Sequence, residues 1–226
     1  MLELILLQET AIGAASSASR ELSYWALAMK GGWMMIPIAL LSLIAIYIFI
    51  ERYVIINRAA AEDTHFMNRI REFIHDDKIE AALALCQSSD SPVARMIEKG
   101  IQRIGRPLND INAAIENVGK LEVYKLEKGL ATLATVAGAA PMLGFLGTVL
   151  GMVIAFYDMS KAGNNVDIVV LSTGIYTALV TTVGGLFVGI PAYLGYNILV
   201  ARIEKVVFKL EAKTTEFMDL LNEPIK

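Results

Sequence analysis

Eight serine and threonine hydroxyls interrupt two long apolar segments of this chain: Thr132, Thr135 and Thr148 in the first, Ser172, Thr173, Thr177, Thr181 and Thr182 in the second. A single threonine in an apolar helix can satisfy its hydroxyl on its own backbone and needs no further explanation. Five within eleven residues ask for one, and Thr173, Thr177 and Thr181 recur at i, i+4 and i+8, which draws a polar stripe along one side of a helix. Such a stripe is expected to face protein or water rather than lipid. Its chemistry is that of neutral oxygen, which hydrates or orients an ion and coordinates a hard cation without titrating.

The residues absent from these segments narrow that chemistry further. No Asp, Glu, Lys, Arg or His lies inside them, and Glu51, Arg52, Asp158 and Asp167 stand only at the edges. A charge at the centre of a bilayer costs about 3 kcal/mol on insertion scales, so the edges are where charges are expected. If ions or protons cross here, the titrating carboxylate comes from a partner chain. The reading is therefore not an enzyme: a serine nucleophile needs a nearby base, and the only histidines, His65 and His75, lie in the charged segment away from Ser42 and Ser172. Those histidines are ten residues apart with no cysteine beside them, so a surface role is expected and neither a metal site nor a cofactor. Cys86, the only cysteine, excludes an intrachain disulfide and a cysteine metal site, and fits a reducing compartment. The basic residues of the charged segment are matched by Glu62, Asp63, Glu72, Asp76, Asp77 and Glu80, which argues against nucleic acid as a ligand.

The elements that carry the hydroxyls follow from composition. Hydrophobic residues make up 55% of the 226 and charged ones 19%, and the mean hydropathy is +0.53, well above that of an ordinary soluble domain. The net charge of −3 conceals three stretches without any charge: Gly31 to Ile50, Gly129 to Tyr157 and Ile168 to Ala201. Each reaches the roughly 20 residues that cross a hydrocarbon core. At about 1.5 Å per residue the second and third would span roughly 44 and 51 Å, so they protrude or tilt. The fold class expected is an all-α membrane protein with three transmembrane helices, the second and third extended into a helical cytoplasmic domain. The expected limits are 31–53, 126–158 and 168–201 for the spans, 54–125 for the cytoplasmic domain, 159–167 for an external turn and 202–226 for a cytoplasmic tail. Residues 1–30 are read as an external segment. Within it Leu2 to Ile12 is read as a short interfacial helix, because Met1 to Leu7 is apolar but lacks the basic flank of a signal peptide. Seventeen Lys or Arg residues fall on the side of the central segment and tail against three, Arg20, Lys30 and Lys161, on the other, which sets the N-terminus outside and the C-terminus in the cytoplasm.

The central segment reads as helical. Phe66, Ile70 and Phe73, then Ile79, Leu83 and Leu85, recur at near-helical spacing. Asp90, Ser91 and Pro92 mark a helix start, and Arg106, Pro107 and Leu108 a break before a helix from about Asn109. From Ile111 the pattern runs through Leu121, Leu126 and Leu130 into the second stretch without a stop, which predicts one continuous helix. The tail continues the third span with Ile203, Val206, Val207, Leu210 and Phe217 on one side, and the two extensions are expected to pack together. Within the spans, Gly144, Gly147 and Gly151 and the pair Gly185 and Gly189 allow close helix approach. Pro141 and Pro191 each remove a backbone hydrogen bond. A passive scaffold, in which these glycines and threonines only pack, is the alternative reading at this point.

Two segments carry a resemblance. Residues Pro141-Met142-Leu143-Gly144-Phe145-Leu146-Gly147-Thr148-Val149-Leu150-Gly151-Met152 resemble the second-helix signature of the ExbB/TolQ/MotA proton-channel family. Ala178-Leu179-Val180-Thr181-Thr182-Val183-Gly184-Gly185-Leu186 through Ile190-Pro191-Ala192 resembles its third-helix signature, and the opening of helix one at Pro37 with its close at Glu51-Arg52 is similar to the ExbB branch. The resemblance implies the channel or stator subunit of an inner-membrane, ion-driven motor. It implies a homopentamer around a dimer of a single-span partner resembling ExbD or TolR, whose membrane Asp carries the proton. A TonB- or TolA-like transducer would pass the work to the outer membrane. It implies Thr148 and Thr182 as the pore threonines; Thr177 and Thr181, hydroxyls of the same helix, are expected to be secondary on the ion path. Where ExbB and TolQ members commonly place a glutamate, this chain has Thr177, which leaves sodium open beside the proton as the coupling ion.

Overall fold

The computed structural model describes residues 31–61, 65–161 and 168–222. The expected interfacial helix over 2–12 and most of the 159–167 turn lie outside the described residues. Among those described there are seven helices and no strand: α1 (Met35–Ala60), α2 (Phe66–His75), α3 (Ile79–Ser88), α4 (Pro92–Ile101), α5 (Leu108–Glu127), α6 (Leu130–Lys161) and α7 (Ile168–Asn222). The protein is an all-α membrane protein. Three helical runs, Met35–Ala60, Leu108–Lys161 and Leu171–Asn222, are long and apolar enough to cross a bilayer. Their apolar side chains lie on every side, with Ile36, Leu43, Met142, Phe145, Val183 and Phe187 all exposed, the pattern of helices bathed in lipid or in other membrane helices.

The chain divides into two compact units. Of the described residues, the first comprises 31–39 with those of 141–187; the second comprises those of 40–140 with 188–222. In the first unit α6 and α7 run antiparallel in close contact. A Cβ built on Gly144 would lie 3.0 Å from the Thr181 carbonyl oxygen and 3.1 Å from the Gly185 Cα. One on Gly151 would lie 2.8 Å from the Ala178 Cβ, and one on Gly174 2.7 Å from the Ala155 Cβ. Small residues on both helices therefore let the two backbones meet.

The second unit is a helical body with one apolar core, in which Ile56, Ile70, Ile97, Ile115, Leu133, Leu199, Val206 and Phe217 are buried. Ser91 starts α4 as a side-chain cap, its Oγ accepting from the Ala94 amide at 3.1 Å, with Pro92 following it. Phe217 on α7 fits over Gly100 on α4, where an added Cβ would come within 2.6 Å of its ring. Glu122 on α5 is buried and bound by two cations, Arg95 Nη2 and Lys125 Nζ, each at 2.7 Å. Burial alone would raise the carboxyl, but the bonds and charges of Arg95 and Lys125 outweigh it and hold Glu122 below its ordinary value.

The continuous helix expected from Ile111 into the second span is interrupted. Helix α5 ends at Glu127, Lys128 is extended at φ −52 and ψ 128, and Gly129 takes φ +85 before the helix resumes at Leu130. That left-handed backbone is open to glycine at no steric cost, and this is the physical reason for the break. Ending a helix orphans its last carbonyls, and Arg52 Nη1 donates to one of them, that of Lys125, at 3.1 Å. Arg52 is itself buried and pairs with Glu51 at 2.7 Å.

Candidate ion pathway

The first unit brings Thr148 on α6 and Thr182 on α7 together, with their hydroxyls in hydrogen-bond contact. The approach is built by two glycines of α6, one a helical turn before Thr148 and one next to it. Gly144 lacks the side chain that would strike the α7 backbone, and Gly147 lacks one that would lie 2.4 Å from the Thr181 methyl. Thr148 Oγ1 lies 3.2 Å from the carbonyl oxygens of both Gly144 and Ala178, and Thr182 Oγ1 lies 3.1 Å from that of Gly144. Two hydroxyl protons are thus shared among four oxygens, and both threonines are half-buried. The group is oxygen-only and uncharged, suited to donate to an oxyanion or to offer lone pairs to a hard cation.

Thr181 faces elsewhere. It is buried, 2% exposed, and its hydroxyl is within reach of the Gly31 carbonyl at 3.2 Å and the Thr177 carbonyl at 3.0 Å. It fastens the segment before α1 to α7. Thr177 is half-buried on the same helix, whereas Thr173 and Thr135 bond carbonyls of their own helices, Val169 and Ala131, each at 2.8 Å. Along the three-residue stripe burial increases from Thr173, exposed, through Thr177, half-buried, to Thr181, buried. Gly185 is buried against Gly144 in the first unit, Gly189 is buried in the second, and Pro141 and Pro191 stand inside helices that continue through them. The backbone acceptors of Gly31, Gly144 and Ala178 have no sequence signature, since every residue carries a carbonyl. The only hint of them was the glycine spacing that exposes the backbone.

A profile of the MotA/TolQ/ExbB proton channel family matches residues 88–212, which contain this threonine pair and all of its glycine supports. The chain belongs to that family. Among proteins similar to it, the biopolymer transport protein ExbB of Aquifex aeolicus is 39% identical over 113 residues, 48% of this chain and 74% of the relative. The Tol-Pal system protein TolQ of Pseudomonas aeruginosa is 31% identical over 147 residues, 60% of this chain and 63% of the relative. An ExbB homolog of Methanothermobacter thermautotrophicus is 35% identical over 121 residues, 54% of this chain but only 42% of the relative. Likeness to both ExbB and TolQ places the chain among the ExbB-like members of the MotA/TolQ/ExbB family.

Proposed function

We propose that this protein is the channel and stator subunit of an ion-driven motor of the inner membrane. In this reading several copies, a pentamer by family resemblance, surround a dimer of an ExbD/TolR-like single-span partner. The partner's membrane carboxylate titrates as ions pass, and a TonB- or TolA-like transducer carries the work to the outer membrane. The N-terminus faces the periplasm and the C-terminus the cytoplasm, and the chain itself catalyses no covalent chemistry.

The observation that carries this reading is the Thr148–Thr182 hydroxyl pair in an otherwise uncharged helix hairpin. It supplies donors and acceptors for a carboxylate that alternates between charged and neutral, and no base of its own to compete for the proton. With Thr177 at the place of the family glutamate, the uncharged stretch of α7, from Ile168 to Ala201, holds no acid of its own. That supports sodium as well as proton as the coupled ion, since hydroxyl and carbonyl oxygens coordinate a hard cation without titrating. Thr148→Ala and Thr182→Ala are the test. Each removes one hydroxyl from a contact whose kind is worth about 0.6 kcal/mol in a membrane protein, so assembly with the partner is expected to survive while coupled transport falls to background. Thr148→Ser, which keeps the hydroxyl, is expected to retain transport. Wild-type transport in both alanine variants would remove the pair from the ion path.

A further inference from the structure

A second polar site lies in the other unit, where two of the uncharged stretches end. The stretch in α1 ends at Ile50 and that in α7 at Ala201, and the first cation after the latter, Arg202, reaches straight across to α1. Its guanidinium stacks over the Tyr53 ring at 4.5 Å, donates to Asn57 Oδ1 and lies 3.4 Å from the Tyr53 hydroxyl. These contacts put the ends of the two uncharged stretches at one level, the level of the lipid headgroups for helices that cross a bilayer. Tyr53 and Asn57 are neutral, so they orient the guanidinium without cancelling its charge.

Lys205 and Lys209 follow at i+3 and i+7 on the same face of α7. With Arg202 they line a cavity of about 270 Å³ between α7 and the end of α1. Lys209 Nζ donates to the carbonyl of Ala60, the last residue of α1, at 3.3 Å. Lys205 is exposed. Val206 and Ile56 form an apolar floor. A ligand matched to these walls carries a phosphate and an apolar body. Basic pockets between membrane helices at the headgroup level have that chemistry.

We infer that the Arg202, Lys205 and Lys209 cavity binds the phosphate headgroup of an anionic phospholipid, clamping the end of α1 to the middle of α7 from the membrane side. The inference rests on these helices crossing a bilayer and not on the ion path, so its test reads lipid and not transport. The full chain, purified in a neutral detergent, would be titrated with phosphatidylglycerol, with phosphatidylcholine and with inorganic phosphate, and lipid adducts counted by native mass spectrometry. The wild type is expected to retain phosphatidylglycerol in preference to phosphatidylcholine. Each of Arg202→Gln and Lys205→Gln is expected to weaken retention about fivefold, the equivalent of about 1 kcal/mol per lost cation at an anionic lipid surface. Lys205 is exposed, so its variant tests the site without threatening the fold. Lys128→Gln removes the same charge beside the start of α6 and is expected to leave retention unchanged. Equal retention in all variants, or equal weakening by Lys128→Gln, would overturn the site. Displacement of the lipid by millimolar inorganic phosphate would overturn the lipid assignment in favour of a soluble anion.

Discussion

At the residue scale, the protein separates its reactive side chains from its solvated ones by burial. Cys86 is 1% exposed in the core of the second unit, where burial, reinforced by the charge of Glu98, pushes its thiol up to about 12. The thiolate is the reactive form, so at pH 8 maleimide labelling of the folded protein is expected to run on the order of a thousandfold slower than that of an unperturbed cysteine. Labelling followed with and without denaturant checks this, and fast labelling of the folded chain would mean that the core opens around α3. The threonines show how much of a site the residue types alone disclose. Thr148 and Thr182 stand out because hydroxyls in an uncharged segment are conspicuous, and the family signatures single out these two. Their carbonyl partners at Gly144 and Ala178 were not legible, because a backbone acceptor acquires meaning only when a second helix arrives. Thr181 shows the converse. Periodicity places it on a polar stripe, and beside the Thr177 carbonyl of its own helix at 3.0 Å its hydroxyl meets the Gly31 carbonyl, distant in sequence, at 3.2 Å.

At the scale of elements, charge and glycine placement govern what the helices do. The uncharged stretches disclosed three spans, and the charged, amphipathic sequence beyond Ala201 disclosed the extension of α7, which runs without a stop to Asn222. The break between α5 and α6 was not legible. Gly129 stands in a segment whose other glycines, Gly138, Gly144, Gly147 and Gly151, all remain helical, and nothing in its type separates the one with φ +85 from the rest. Among those helical glycines the structure now discriminates. A side chain on Gly144 meets the backbone of α7 within 3.2 Å at three atoms, whereas one on Gly138 meets nothing within 4 Å in the same chain. Gly144→Ala is therefore expected to destabilise the helix pair by about 1–3 kcal/mol, the usual cost of overpacking. Gly138→Ala is expected to leave it unchanged or slightly firmer, since alanine is the better helix former. Thermal unfolding of both variants in the same detergent decides it, and equal melting temperatures would contradict the close α6–α7 contact.

At the scale of the whole molecule, an uncharged helix hairpin and a charged helical body divide two tasks. The chain belongs to the MotA/TolQ/ExbB family, and in the function proposed above neither task needs an ionisable group in the bilayer, because titration is left to a partner. A helix that carried its own buried carboxylate would bear a cost of several kcal/mol; one that offers only hydroxyls and carbonyls to a visiting carboxylate avoids it. In the proposed function, ions cross only where this chain and a titrating partner meet. Flux in proteoliposomes holding this chain with an ExbD/TolR-like single-span partner tests it most directly, with a proton gradient and a sodium gradient imposed separately. Flux is expected under one of the gradients, disappearing when the partner's membrane Asp is replaced by Asn and absent from vesicles holding this chain alone. Flux that persists without that carboxylate, or no flux under either gradient from a complex shown to be assembled, would contradict it.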